Sequence, residues 1–271
     1  MCSSDLFFAA KRVVIVGGAG GVGKTTSAAA LALAAASSGR KVAVLTVDPA
    51  RRLAQALGVE RFGEEAQRLI LPPGVESQGG DLWVMRLDVQ RTYDRLLRLT
   101  IKDPEQLAAI QANKFYRHFT QAFGGTHEYS ALERLYELVS EGRYDLVVLD
   151  TPPSTQALDF LSAPKRLTNA FNEPFMNWIG KPVKGKNGGG SGFAMGYILK
   201  HLKRFAGEQL IDELLDFLAL FRDMLAGFRS RAESVEGFLR APSTAFVVVS
   251  SPSFTSLKEA AVFGRELRNL S

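Results

Sequence analysis

A glycine-rich stretch near the start of the chain constrains the fold more than any other feature. Residues 18–25 (GAGGVGKT) fit the pattern G-x-x-x-x-G-K-[ST], which is typical of a phosphate-binding loop. The apolar run at 12–16 before it predicts a buried strand, and the alanine-rich run after it predicts a helix. The alternative is an ordinary glycine turn between a strand and a helix. The complete motif with both flanks favours a site for a nucleoside triphosphate.

The motif also assigns chemistry to its residues. Backbone N–H groups of the glycine-rich loop would converge on phosphate oxygens, where the positive end of the helix dipole adds to their attraction. Lys24 would contact the β- and γ-phosphates, and the hydroxyl of Thr25 would ligate Mg²⁺. The residues predicted to bind ATP are therefore Gly20, Gly21, Val22, Gly23, Lys24, Thr25 and Thr26.

Composition narrows the class of protein. A chain of 271 residues with 46% hydrophobic residues can bury the core of a large α/β domain. A net charge of +5 is too small to indicate nucleic-acid binding. No apolar run reaches the roughly 18 to 20 residues of a membrane span, and the N-terminus does not resemble a signal peptide. We therefore expect a cytoplasmic protein that does not bind nucleic acid.

The first six residues are interpreted separately from the rest. Residues 1–6 (MCSSDL) match what the end of a common sequencing adapter encodes from a GTG start, so we interpret them as non-native. A genuine polar N-terminus is the alternative. Cys2 is the single cysteine of the chain, which excludes an intrachain disulfide and a thiolate zinc cluster built from one chain.

Predicted strands alternate with predicted helices along the chain. The strands are 12–16, 41–47, 82–87, 144–150 and 245–250, and the helices are about 25–38, 89–99, 104–122, 128–141 and 256–269. This alternation predicts an α/β fold with a doubly wound, mostly parallel sheet. The ligands of such sheets lie at the carboxyl ends of the strands. Gly18, Asp48 and Asp150 all fall at such ends, so three signals point to one edge of the sheet.

Two aspartates are candidates for the metal site. Asp48 and Asp150 each follow an apolar strand, where a carboxylate can organise Mg²⁺ and its waters. An Asp at this position is also a common helix N-cap, which is the alternative. We favour the metal site because both strands that end at these aspartates are expected to flank the loop.

A basic and aromatic segment separates the last two predicted strands. Residues 162–242 carry twelve Lys/Arg against eight Asp/Glu, and a glycine-rich run at 184–192 interrupts them. We predict a helical insertion within one P-loop domain that spans 7–271. Its apolar residues recur at helical spacing at Leu210, Leu214, Phe217, Leu218, Phe221, Met224, Leu225 and Phe228, and again at Tyr197, Ile198, Leu199, Leu202 and Phe205. Three interpretations of these stripes stay open. They form the core of a helical subdomain, they line a binding groove, or the segment docks on a membrane through its basic face.

Three motifs in order resemble the deviant-Walker ATPases, and among them the arsenical-pump and tail-anchored-protein-targeting ATPase family. They are the loop at 18–25, the segment 48–53 (DPARRL) as switch I, and the segment 150–161 (DTPPSTQALDFL) as switch II. The resemblance covers roughly residues 11–271. It implies a dimer that closes on ATP and opens on hydrolysis, with a hydrophobic groove across the dimer for the apolar helix of a client protein.

The chain departs from this family at three points. The signature lysine that reaches the partner's phosphates falls at Ala19, and the switch I aspartate that positions the attacking water falls at Gln55. The cysteine pair that clasps some family dimers through zinc is absent. Arg51 or Arg52 could supply the missing charge, although solvated or phosphate-facing arginines are the simpler interpretation.

These observations predict an ATP-binding and hydrolysing dimeric switch that acts on a protein or membrane client. The predicted catalytic residues are Lys24, Asp48 and Gln55, and the predicted Mg²⁺ site is Thr25, Asp48 and Asp150. The alternative is a nucleotide-binding regulatory subunit with weak hydrolysis, paired as a heterodimer with a lysine-bearing paralogue. A small-molecule kinase is a third option. In the family a further strand and loop recognise adenine, so we expect the C-terminus at Ser271 to be truncated.

Overall fold

The structure, a computed structural model, describes residues 10–47, 50–59, 62–71, 78–122, 126–152, 162–166, 169 and 207–270. The predicted scar at 1–6, the candidate ligand Asp48, most of switch II and the glycine-rich run at 184–192 lie outside these residues. The boundaries proposed for the helical insertion, 162–242, stay a prediction.

A six-stranded sheet forms the centre of the described fold. Its strands are β1 Val13–Gly18, β2 Lys41–Thr46, β3 Gln67–Leu69, β4 Asp81–Arg86, β5 Leu146–Asp150 and β6 Thr244–Val249. They lie in the order β3-β4-β2-β5-β1-β6, and all neighbours are parallel except β3 and β4. The predicted mostly parallel α/β sheet is confirmed.

Helices cover both faces of this sheet. They are α1 Lys24–Ser37, α2 Ala50–Leu57, α3 Val89–Thr100, α4 Pro104–Ala112, α5 Lys114–Ala122, α6 Thr126–Ser140, α7 Glu208–Leu239 and α8 Phe254–Leu270. Within the described residues, no helix combines the length and the apolar character that crossing a bilayer requires.

Alternation along the strands builds one core on each face. Val14 and Val16 of β1 pack with the small residues of α1 and with Leu53 of α2. Val13 and Ile15, on the opposite face, pack with α6 and the C-terminal end of α7. Because successive strand residues point to opposite faces, a continuous apolar run such as VVIV serves both cores.

The strand order was not predicted from the sequence. β5, which ends at Asp150, pairs with β1, whereas β2, which precedes Asp48, does not. β5 also pairs with β2, so it lies between β1 and β2. β6 occupies the other side of β1. Strand order depends on where crossover connections land, and the residues of the strands themselves do not encode it.

Two local features were also missed. β3 has three residues, of which only Leu69 is buried, and such a short edge strand leaves no periodic pattern. The helix predicted at 104–122 is broken at Asn113, whose side-chain Oδ1 accepts a hydrogen bond of 2.8 Å from the N–H of Phe115. Asparagine side chains commonly satisfy the first N–H groups of a helix in this way, so Asn113 begins α5.

A third apolar cluster joins the helices beyond the sheet and answers part of the question about the apolar stripes. Phe228 stacks on Tyr93 with ring centroids 5.9 Å apart, and Phe217 stacks on Phe115 at 6.4 Å. Phe217 and Phe228 are both buried in this cluster. These two residues therefore belong to a core, which they share with helices outside the predicted insertion.

One buried ion pair ties α7 to α6. Arg231 of α7 donates to Glu133 Oε1 at 2.6 Å, and Tyr129 donates to the other carboxylate oxygen at 3.2 Å. The guanidinium also lies 4.4 Å from the ring centre of Tyr136. Burial raises the pKa of Glu133 above its usual value, and Arg231 opposes that shift. Arg231 therefore stabilises the fold mainly at pH values at which Glu133 is charged.

We predict that Arg231→Met destabilises the fold in a pH-dependent way. Methionine keeps the apolar stem against Tyr136 but leaves Glu133 buried and uncompensated, which costs about 3 kcal/mol near neutral pH. A carboxyl whose folded pKa is raised stabilises the fold below its unfolded pKa and loses that stabilisation as pH rises through the folded pKa. The loss should therefore shrink as pH falls from neutral towards the unfolded pKa of glutamate, about 4.3, as measured by urea unfolding.

Arg229→Met is the matched control. Arg229 pairs with Glu233 on the same helix, but the two side chains are 64% and 63% exposed. Its replacement should change the free energy of unfolding by no more than about 0.5 kcal/mol. An Arg231→Met loss that is equal at both ends of the pH range would assign the effect to packing instead of charge.

Candidate functional site

The loop between β1 and α1 is open to phosphate because of its glycines. Gly18 has φ 148°, and a Cβ there would collide with the carbonyl oxygen of Val249. Gly21 and Gly23 also have positive φ, 75° and 96°, which L side chains rarely adopt. Gly20, Gly21 and Gly23 are exposed. The backbone conformation of this turn therefore requires glycine at positions 18, 21 and 23.

The same loop leaves backbone donors available. Gly23 begins α1 without a side-chain cap. Among the described residues, the N–H groups of Gly20, Gly21, Val22 and Gly23 donate no hydrogen bond to a backbone carbonyl. Unused N–H groups at a helix N-terminus attract anions, so this concave loop suits phosphate oxygens. The loop therefore fits the group that its sequence motif implies.

Lys24 is folded back onto the loop. Its side chain is 6% exposed, and Nζ donates a 2.7 Å hydrogen bond to the carbonyl oxygen of Ala19. That carbonyl belongs to the backbone, so any residue at position 19 would supply it. The ammonium group is thus buried and held against the backbone of the loop.

Asp150 lies next to the first turn of α1. It ends β5, it is fully buried, and its Oδ1 accepts a 3.3 Å hydrogen bond from the hydroxyl of Thr25. Two hard oxygen donors at this separation suit Mg²⁺, which is commonly bound by one or two protein oxygens together with phosphate and water. Within the described part of the chain, no cluster of three His, Cys, Asp or Glu offers a complete protein cage for a metal.

Switch I is only partly brought to this site. Asp48 lies outside the described residues, although Val47 before it donates to the carbonyl oxygen of Asp150 at 3.2 Å. Gln55 lies on α2 with an exposed side chain, and no described contact joins it to Lys24, Thr25 or Asp150. Arg51 and Arg52 are exposed on the same helix.

Two threonines at the site were not predicted from the sequence. Thr46, the last residue of β2, donates to Asp150 Oδ2 at 3.0 Å. Thr151 donates through its hydroxyl to the carbonyl oxygen of Val16 at 2.8 Å. The available signal was a buried polar residue at the carboxyl end of an apolar strand, since buried polar groups need partners.

Comparisons with known proteins agree with this geometry. The profile of the family described as anion-transporting ATPase matches residues 11–271. The chain is 27% identical over 242 residues to the protein named ATPase get3 of Aspergillus terreus, covering 86% of this chain and 62% of that protein. It is 26% identical over 237 residues to the ATPase ASNA1 homolog of Entamoeba dispar, covering 86% of this chain and 64% of that protein. The chain thus spans less than two thirds of the length of these curated relatives.

We predict that Lys24→Ala weakens ATP binding about tenfold or more, because the variant loses charge-assisted hydrogen bonds to the phosphates. Isothermal calorimetry with ATP measures the change. Lys41→Ala is the matched control, since Lys41 is exposed and begins β2 at the opposite end of the sheet. Unchanged ATP affinity in a folded Lys24→Ala variant would remove Lys24 from the site.

Proposed function

The chain belongs to the anion-transporting ATPase family, and we propose that it binds ATP with Mg²⁺ at residues 20–26 and hydrolyses it as a dimeric switch. One observation carries the proposal. The open glycine loop, the buried amine of Lys24 and the Thr25–Asp150 pair occupy the same carboxyl end of the parallel sheet. Ligands of doubly wound sheets bind at that end.

The loop would hold the triphosphate through the N–H groups of residues 20–23 and the positive end of α1. Lys24 would leave the carbonyl oxygen of Ala19 and donate to the β- and γ-phosphate oxygens. This exchange replaces a hydrogen bond to a neutral carbonyl by one to a charged oxygen, which is shorter and stronger. The buried position of the amine also limits its competing hydration.

The metal site would be built from Thr25, Asp48 and Asp150. Bound Mg²⁺ would neutralise charge that develops on the β- and γ-phosphates. Thr25 would turn its hydroxyl from Asp150 to the metal, and Asp150 would hold a water of the metal shell. Gln55 would orient the attacking water by hydrogen bonding, although an amide cannot accept its proton as a carboxylate does. Because Gln55 is exposed on α2, this role would require α2 to move or a partner subunit to cover it.

A second candidate function is a regulatory subunit with weak hydrolysis of its own, paired with an active paralogue. Ala19 in place of the family's lysine and Gln55 in place of its aspartate favour this candidate. The complete loop and the Thr25–Asp150 pair favour the switch ATPase. Both candidates share the nucleotide site and differ in where the cation for hydrolysis originates.

The client proposed for either form is a protein with an apolar helix, and a peripheral membrane contact through the basic insertion is the alternative. The compartment proposed is the cytoplasm. Phe217 and Phe228 are buried against other helices, so a groove for the client would have to use other apolar positions of the insertion. The similarity to relatives named ATPase supports the nucleotide part of this proposal and does not identify the client.

We predict that the purified chain, in molar excess over ATP, releases phosphate in a single-turnover assay and that Lys24→Ala does not. Hydrolysis by the chain alone supports the switch ATPase. Hydrolysis only after addition of a paralogue with a complete lysine motif supports the regulatory subunit. A chain that neither binds nor hydrolyses ATP in either arm would overturn both candidates.

We predict that Ala19→Lys raises hydrolysis in a homodimer by about tenfold or more, because cations supplied across a subunit interface can be worth roughly 10³- to 10⁵-fold. Ala19→Met is the matched control, since it adds a side chain of similar length without charge. In a heterodimer with a lysine-bearing paralogue, only the site of the present chain gains that lysine. If the wild-type homodimer already matches Ala19→Lys, another cation such as Arg51 or Arg52 fills the role.

A further inference from the structure

The carboxylate of Asp150 is held from both sides, and only one side belongs to the nucleotide motif. Its Oδ1 accepts from Thr25 at 3.3 Å, and its Oδ2 accepts from Thr46 at 3.0 Å. Thr46 ends β2, where it lies directly opposite Asp150 in the parallel register. Both residues are fully buried. The hydroxyl of Thr46 therefore reaches the metal-site carboxylate from a neighbouring strand.

The backbone around Asp150 is fixed by other bonds. Its carbonyl oxygen accepts from the N–H of Val47 at 3.2 Å, and Thr151 donates to Val16 through both its N–H and its hydroxyl. What these bonds leave undetermined is the rotation of the carboxylate about its last side-chain torsion. Such a torsion has a broad energy well, so hydrogen bonds decide the plane that the carboxylate adopts. Thr46 supplies one of those bonds.

We infer that Thr46 is a positioning residue for the Mg²⁺ site. Its hydroxyl fixes Oδ2 of Asp150, so that Oδ1 faces Thr25 and the phosphate-binding loop before nucleotide arrives. When Thr25 turns to the metal, Asp150 loses one hydrogen bond and keeps the bond from Thr46, so its orientation survives the exchange. This inference rests on the proposed function, because it concerns the metal bound together with ATP.

A purely structural role for Thr46 predicts a different result. A hydroxyl that only satisfies a buried carboxylate would affect the stability of the fold and would affect nucleotide binding equally with and without metal. If Thr46 has a positioning role, its loss should lower nucleotide affinity only when Mg²⁺ is present. The two roles therefore separate in a binding measurement that compares Mg²⁺ with EDTA.

The test is calorimetry with AMPPNP, a non-hydrolysable ATP analogue, on Thr46→Val in Mg²⁺ and in EDTA. Valine keeps the shape of threonine and removes the hydroxyl. We expect the affinity for Mg²⁺–AMPPNP to fall about five- to tenfold, the scale of one typical protein hydrogen bond, while affinity in EDTA changes less than about twofold. Thr46→Ser, which keeps the hydroxyl, should restore the Mg²⁺-dependent affinity.

Thr244→Val is the matched control. Thr244 is also a buried strand threonine, but its hydroxyl donates to the carbonyl oxygen of Phe238 at 2.9 Å, and it begins β6 at the opposite end of the sheet. It should leave both affinities unchanged. If Thr46→Val fails to fold, Thr46→Ser and Thr46→Ala are compared instead. Both variants lack the methyl group of threonine, and only Thr46→Ser keeps the hydroxyl.

The outcomes separate the two hypotheses. A wild-type chain that binds no AMPPNP, or binds it equally with and without Mg²⁺, overturns the proposed function and this inference together. A wild-type chain with Mg²⁺-dependent binding, and a Thr46→Val variant that keeps it, overturns the inference alone. An equal loss in Mg²⁺ and EDTA assigns Thr46 a structural role and likewise overturns the inference.

Discussion

The parallel pairing of β5 with β1 is the constraint on which the candidate site depends. In this register Asp150 lies opposite Val16, two residues before the last residue of β1. The loop then turns back over the ends of the strands, and α1 begins at Lys24 with Thr25 beside Asp150. A shift of β5 by one residue would move Asp150 to the other face of the sheet, because side chains alternate along a strand. The apolar faces of both strands, buried on two sides, hold this register.

Burial of polar groups at this edge makes the arrangement specific. Asp150, Thr46 and the amine of Lys24 are all removed from water, and each has a hydrogen-bond partner close by. Leaving such groups unpaired would cost about 1 to 3 kcal/mol each, so the partners are part of the fold as much as of the site. Under the proposed function, nucleotide binding would replace the present hydrogen-bond partners of Lys24 and Thr25 by the phosphates and the metal.

The sequence alone was sufficient for features whose cause is local. The loop, its flanking strand and helix, and the carboxylate at the end of β5 follow from residue pattern and spacing, and the structure places Thr25 and Asp150 in contact. Features with a long-range cause were missed. The position of β5 between β1 and β2 depends on crossover connections, and the contact from Thr46 to Asp150 follows from that position. Gln55 is exposed and has no described contact with Lys24, Thr25 or Asp150, so its role at the site stays a prediction.

The contact between Lys24 and Ala19 shows which part of the site does not depend on the side chain at position 19. Lys24 is held by the carbonyl oxygen of residue 19, which every amino acid provides. Alanine at this position therefore preserves the geometry of the loop within one subunit, including the open N–H groups of its glycines. In the proposed dimer, the part lost would be a charge that acts in the partner's site, where it would stabilise the transition state more than bound ATP. Under the proposed function, Lys24 serves both nucleotide affinity and hydrolysis, whereas the residue at position 19 affects hydrolysis alone. A chain with Ala19 can then bind ATP fully while it hydrolyses ATP slowly.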